Sequence, residues 1–361
     1  AVMLAQHLRR RGHECDLYAY SDSYQHRLAC DEIDVHTPKG LHYPLFQSIP
    51  TDFGFLARFA EEHARKPYDI LHAHYAVPLI HVVSNLALAY DLPCVLTFHG
   101  SDATILPDQL PLSFIPLLIQ KVGMEVTAAS HFLAAEIHER YGVPVGGIHI
   151  IGNSVSEEFF EPEEPTHESC QYFLHCSNLR SLKRPADILQ ALAQLRDAYN
   201  ARQLPEMPCL KIVGEGPDLP LLEALAEALN IQPYVEFCGR IDNRHRLASL
   251  MAASRAVIVS SEMESQPLTV LEAMAVGAPV VCASFPSVAE LLGSKGDRGY
   301  VYPVGDIEAL ATVMRTIVRA PEHAREMAQH AFRFVREQHD MPPIIDAYLE
   351  LYARMLTPVG V

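Results

Sequence analysis

Nowhere in the 361 residues does an apolar run approach the ~18 consecutive residues that span a bilayer, and the chain does not open with a secretory leader. Both absences point to a soluble, cytoplasmic protein with no stable membrane insertion. Positive charge is scarce as well. Lys and Arg number 28 against 44 Asp and Glu, a net charge of −16. That balance argues against nucleic acid and against tight docking on anionic lipid, although a local patch such as Arg9, Arg10 and Arg11 could still act. Small molecules are the partners it favours, and a homo-oligomer is compatible with it. The eight cysteines (Cys15, Cys30, Cys94, Cys170, Cys176, Cys209, Cys238 and Cys282) form no C-x-x-C pair, and several sit in apolar runs. Reduced core thiols are expected, rather than disulfides or a zinc site, and neither a metal nor a cofactor is called for. No repeat or low-complexity tract is present. No G-x-G-x-x-G follows a strand-like run, which weakens a dinucleotide-binding Rossmann protein or oxidoreductase.

The first residue is Ala1, and the opening AVMLAQHLRRRGHECDLYAY reads as a helix ending at Gly12 followed by a strand. An α/β domain normally begins with a strand and a loop, so the chain is expected to lack its first strand and glycine-rich loop.

The length suits two domains of roughly 150–200 residues, and 49% hydrophobic content supports two cores. Short apolar runs alternate with helical patterns: HECDLYAY (13–20), DILHAHYA (69–76), PCVLTFHG (93–100), EVTAAS (125–130) and GIHIIGNS (147–154). The acidic, proline-containing EEFFEPEEPTHESC (157–170) reads as a linker. Alternation resumes with QYFLHCSN (171–178), CLKIVGEG (209–216), YVEFCGR (234–240), AVIVSS (256–261), PVVCAS (279–284) and GYVYPVG (299–305). Strands alternating with helices imply an α/β fold with parallel sheets. The expected domains are 1–155 and 165–335, with 336–361 returning to the first. Helix 218–230 places Leu222, Leu225 and Leu229 on one stripe, and Pro342 and Pro343 are expected to break the last helix (344–356) from the one before. Two such domains should hold a ligand facing the carboxyl ends of their strands.

Four features gather at predicted strand ends. Glu264 and Glu272 flank the start of a helix in SSEMESQPLTVLEAMAVGAPVV (260–281), with Pro267 in its first turn. A helix start suits a phosphate, and the carboxylates suit hydroxyls beside it; such a pair serves equally as a loop cap and a solvated helix residue. HAHYAVP (72–78) and TFHGSD (97–102) place His74, Tyr75, Thr97, His99 and Asp102 at neighbouring strand ends, although a single buried His is more often structural. SNLRSLKR (177–184) sets Arg180, Lys183 and Arg184 between strand and helix, an anion site if they are more than surface charge. VGEGP (213–217) is a glycine-containing turn of the kind that also serves ordinary connections.

HAHYA, TFHGSD, SNLRSLKR, VGEGP and E-x7-E with LEAMAVGAPVV, in this order over nearly the whole chain, resemble the retaining nucleotide-sugar glycosyltransferases of family 4. That family has the GT-B fold of two facing Rossmann-like domains. HAHYAVP, T-x-HGSD, the SN-x-R-x-x-KR run and SE-x-ES resemble most a branch of the family that acts on L-malate in bacillithiol biosynthesis. The resemblance implies a metal-independent hexosyltransferase moving GlcNAc from UDP-GlcNAc to a small hydroxy acid. It gives His99 and Glu264 catalytic places, by the anomeric centre and by the donor sugar. Arg180 and Lys183 would bind the diphosphate with the helix start at Leu268 and Thr269, and Glu272 the ribose. Gly214 and Glu215 would line the donor, Arg240 and Ile241 would meet the uracil, and Tyr75, Thr97 and Asn178 the acceptor. Pro267 departs from the usual glycine and removes an N–H from the donor loop. Rival readings are a family-4 enzyme with a polysaccharide or glycolipid acceptor and a non-catalytic scaffold subunit, the latter having no need of E-x7-E or SNLRSLKR.

Overall fold

The computed structural model describes residues 1–19, 33–37, 51–162 and 172–357. Tyr20 of HECDLYAY and residues 163–170 of the expected linker lie outside them. In chain order the strands are β1 (Leu17–Tyr18), β2 (Val35–His36), β3 (Leu71–His74), β4 (Cys94–Phe98), β5 (Glu125–Ala128), β6 (Ile148–Ile150), β7 (Tyr172–Cys176), β8 (Cys209–Val213), β9 (Val235–Gly239), β10 (Ala256–Val259), β11 (Val280–Ala283) and β12 (Tyr300–Tyr302). Every pairing among the described residues is parallel. Parallel neighbours need crossovers, and helices supply them.

The chain divides into two compact units: Ala1–Ile151 with the return from Ile344, and Gly152–Pro343. The sequence put the first boundary later, at 155–165, and the return earlier, at 336. Both move for packing reasons. Val155 is buried in the second unit's core, and so is Val335 of helix Pro321–Gln338.

The first unit holds the order β3-β4-β5-β6 and a separate β1-β2 pair. All five residues of β4 are buried because helices cover both faces of its sheet. Leu96 and Phe98 pack with Ile115, Leu133 and Ile137. Val95 faces the other way, onto Ile151, Ile344, Tyr348 and Leu351. Those last three belong to helix Met341–Leu356, which contains Pro342 and Pro343 rather than following them. The prolines sit in its first turn, where N–H groups lack helical partners anyway. Asp340 accepts from the Met341 N–H (2.7 Å), and the preceding helix has already ended at Gln338.

The second unit has the order β12-β11-β10-β7-β8-β9. Helices Pro185–Asn200 and Ile307–Arg319 pack on Phe173, Ile212 and Ile258 of one face. Helices Leu268–Ala275 and Pro321–Gln338 pack on Leu174, Val257 and Val259 of the other. The expected helix at 218–230 spans Leu219–Ala228, with Leu222 and Ala226 buried against the core. Chain order reverses between β7 and β10, so the loops leaving these two strands diverge to opposite faces and leave a crevice at their carboxyl ends.

Leu351 is 1% exposed and seals the β4 face. Leu351→Ala should destabilise the first unit by about 2–4 kcal/mol, read as a lowered urea midpoint with little change in slope.

Candidate functional site

The reversal point holds most of the charged residues singled out in the sequence. After β7 the chain makes a short turn over Ser181–Lys183 and enters helix Pro185–Asn200 through Arg184. Arg184 has a left-handed backbone (φ 48°), and its guanidinium is held by Asp187 (2.7 Å) and Glu262 (2.6 Å). It is thereby committed to shaping the turn. Lys183 points to the loop after β10, where its ammonium lies 2.5 Å from Glu264 Oε1. Ser261 donates to the same oxygen (2.7 Å), and Ser260 donates to the Lys183 carbonyl (2.7 Å). The two switch-point loops are therefore laced together by two charge-assisted pairs, Lys183–Glu264 and Arg184–Glu262, and by the Ser260 hydroxyl.

Beside this pair begins helix Leu268–Ala275. Pro267 is its N-cap residue, extended at ψ 121°, rather than part of the first turn, and no side chain caps the helix. The N–H groups of Leu268 and Thr269 thus have no helical partner. Leu268 is exposed, while the Thr269 hydroxyl donates to the Cys176 carbonyl at the end of β7 (3.4 Å). Glu272 follows one turn in. Burial pushes its carboxyl up to about 7, against a smaller opposing pull from Arg244. The neighbouring Cys176 thiol is pushed up to about 12 by its own burial and by the Glu272 charge.

Arg180 and Asn178 are exposed side by side, with the Asn178 amide oxygen placed to accept from the guanidinium. VGEGP packs against the same loop. Leu179 N–H donates to Glu215 O (3.0 Å), and Gly214 N–H donates to Gly239 O (2.8 Å). Gly214 has φ 128°, and a Cβ there would run into the Ser177 carbonyl. Its role is this close approach, and its N–H is already used within the sheet. Arg240 and Asp242 are exposed and paired to each other (2.6 Å), while Ile241 is partly buried against the core. His175 is a residue that sequence reasoning passed over. It is buried in β7, with its ring nitrogens on Ile258 O (2.9 Å) and the Ser177 hydroxyl (2.8 Å), and burial holds it down to about 4. A histidine inside an apolar strand run was the available signal.

In the first unit, Asp102 organises the strand-end loops. It is fully buried, and its carboxylate accepts from the N–H groups of Ala76 (3.0 Å), His99 (3.1 Å) and Gly100 (2.9 Å), joining the loops after β3 and β4. This fixes Tyr75 and His99. Tyr75 has a left-handed backbone (φ 73°), uncommon for an aromatic residue, and its ring lies on that of His99 with centroids 4.5 Å apart. His99 Nε2 is 3.0 Å from His74 Nδ1. Burial lowers His99 to about 4 and His74 well below its usual range, so both rings are neutral at pH 7. Thr97 is placed differently from Tyr75. It is 5% exposed, and its hydroxyl bonds His72 (2.7 Å) and Thr127 (2.6 Å) within the sheet face. His72 passes the network on to the Tyr352 hydroxyl (2.6 Å).

Comparison with known proteins gives these arrangements a family. Residues 1–159 match the family model described as Glycosyltransferase Family 4, and residues 156–334 the one described as Glycosyl transferases group 1. The chain is 30% identical to the N-acetyl-alpha-D-glucosaminyl L-malate synthase of Bacillus anthracis, over 98% of this chain and 92% of that protein. It is 22% identical to a putative teichuronic acid biosynthesis glycosyltransferase of Bacillus subtilis, over 94% and 82%. Among solved structures it resembles a glycosyltransferase from Rickettsia africae (TM-score 0.80, 17% identity, 99% and 94% covered). It also resembles HepE of Anabaena, solved in complex with UDP (TM-score 0.77, 18% identity, 98% and 94% covered). Among the described residues, no helix is long and apolar enough to cross a membrane. With two Rossmann-like units, a strand reversal at β7 and β10 and a relative this similar along nearly its whole length, the chain belongs to the family 4 glycosyltransferases of the GT-B fold.

Proposed function

We propose that this glycosyltransferase moves GlcNAc from UDP-GlcNAc to L-malate, with retention at the anomeric carbon and without a metal. The observation that carries the donor half is the Lys183–Glu264 pair beside the uncapped start of helix Leu268–Ala275. The acceptor half rests on the 30% identity to the malate synthase. In this reading Lys183, Arg180 and the N–H groups of Leu268 and Thr269 receive the diphosphate. Fixed cations and a helix start stabilise the charge that grows on it as the bond to the sugar breaks. The malate hydroxyl forms the new bond to C1 on the face the diphosphate leaves, and its proton passes to the departing phosphate oxygen. Glu272 accepts from the ribose hydroxyls, and Glu264 orients the sugar; neutral His99, at the strand ends of the first unit, is proposed as a hydrogen-bond partner for a substrate hydroxyl. Glu215, Arg240 and Ile241 complete the nucleotide side, and Tyr75 is assigned to the acceptor, whereas the buried Thr97, its hydroxyl committed to His72 and Thr127, is not.

A second reading, a glycolipid acceptor, has one observation behind it. Phe114 (43% exposed) and Leu117 (66% exposed) stand one turn apart on helix Phe114–Val122. The net charge of −16 opposes a basic membrane footprint around them.

Three outcomes test the proposal on the full-length protein. Lys183→Ala should weaken UDP binding about tenfold to a hundredfold in calorimetry, the loss of one charge-assisted bond. Glu272 gives a pH signature. Its folded value of about 7 lies above that of an unfolded Glu, so its contribution to stability is full below about pH 4.5 and falls as pH rises to about 7. Glu272→Gln should therefore stabilise the ligand-free protein at pH 8 by about 1–3 kcal/mol. It should also remove the part of the rise in UDP affinity between pH 6 and 8 that depends on ionised Glu272. Finally, UDP release from UDP-GlcNAc should depend on L-malate. Equal rates with and without malate would remove the acceptor assignment, and stimulation by lipid vesicles instead would favour the second reading.

A further inference from the structure

Gln266 lies between the Glu264 carboxylate and the start of helix Leu268–Ala275, and it faces inward. It is 9% exposed. Its Oε1 accepts from the Asn153 N–H (2.5 Å), and its carbonyl accepts from Asn153 Nδ2 (3.0 Å). On the far side, the Asn153 carbonyl faces His339 Nδ1 (2.9 Å), and the His339 carbonyl accepts from Val155 N–H (2.9 Å). Asn153 thus spends its N–H, its carbonyl and its side-chain amide on two segments distant in sequence. A second observation concerns space. A Cβ on Gly152 would lie 3.3 Å from Gln266 Nε2 and 2.9 Å from His339 Cε1, so a glycine is what lets the carboxamide and the imidazole close over this segment.

We infer that Gln266 is a positioning residue for the donor loop, resting on the donor site of the proposed function. The helix it precedes has no side-chain N-cap bond; in its first turn the Thr269 hydroxyl reaches the Cys176 carbonyl (3.4 Å), which anchors the helix to β7 but does not fix the direction from which the chain enters. The bidentate tether to Asn153 supplies that fixation. On one side it holds Glu264, whose carbonyl also accepts from the Ser287 hydroxyl (2.7 Å). On the other it holds the free N–H groups of Leu268 and Thr269. A loose tether would leave both anion-facing groups in place but poorly aimed, at a cost to nucleotide-sugar binding and not to acceptor binding.

Three variants test this in the full-length enzyme. Gln266→Met keeps the length of the side chain and deletes the acceptor. Gln266→Glu keeps an acceptor oxygen at that point in either protonation state. Gly152→Ala keeps every polar atom and crowds the carboxamide. Gln266→Met and Gly152→Ala should each raise the UDP Kd and the KM for UDP-GlcNAc about five- to thirtyfold, with the acceptor KM unchanged; Gln266→Glu should stay within about threefold of the parent. Hydrogen exchange of the amides at 264–270 gives a readout without ligand and should quicken about tenfold in Gln266→Met. An unchanged UDP Kd in Gln266→Met alongside a lowered Tm would make Gln266 merely structural and overturn the inference. If Gln266→Met fails to fold, Gly152→Ala decides in the same way. A parent enzyme that binds no UDP, with exchange still quickened by Gln266→Met, would sink the donor reading and leave the tether standing.

Discussion

Parallel strands leave all their carboxyl ends on one edge of a sheet, and the loops that leave that edge must pass to one face or the other. Where neighbouring strands send their loops to opposite faces, a gap opens that no crossover fills. In the second unit this happens once, between β7 and β10. The Lys183 turn, the Glu264 loop and the start of helix Leu268–Ala275 are all consequences of that reversal. The strand interiors supply rigidity: Leu174, Val257 and Ile258 are completely buried, so the loop bases do not drift.

Charge in this region is already spoken for. Lys183 is paired with Glu264, Arg184 with Asp187 and Glu262, and Arg240 with Asp242. An anion that engages Lys183 must share it with Glu264. The first unit takes the opposite course. His72, His74 and His99 are lowered by burial and meet their partners as neutral rings, so its strand ends offer dipoles in place of charge. Among the described residues only the Asp102 carboxylate is buried there as an acid, and burial, the larger effect, raises it against the pull of the backbone N–H groups it accepts from.

The strands were legible because a parallel strand covered on both faces must be apolar throughout, as CVLTF and AVIV are. β2 was missed, since Val35–His36 leaves no run to detect. The prolines at 342–343 were read as a break because proline disrupts a helix interior, yet the same residue suits a first turn, and only Asp340 and the preceding helix end tell the two apart. Lys183, Glu264 and the helix start could be grouped from sequence because each follows a recognisable strand. Thr97 and Asp102 could not be sorted the same way. Both are polar residues at a strand end, and which way a side chain turns depends on what covers the sheet, which is set by the helix at 341–356. The raised carboxyl of Glu272 and the tether at Gln266 also depend on neighbours more than 100 residues away or on burial, neither of which spacing encodes.

The return of the chain at Ile344 has a consequence for biosynthesis. Residues 1–151 leave the ribosome before the second unit, but the helix that covers Val95 and Ile151 follows only after all of 152–343. At a translation rate of about 5–20 residues per second, the β4 face stays uncovered for roughly 10–40 s while the other unit can already fold. The unit begun earlier is therefore the one finished later, and the nascent chain carries an open apolar sheet face while 152–343 are made, a natural point of engagement for chaperones.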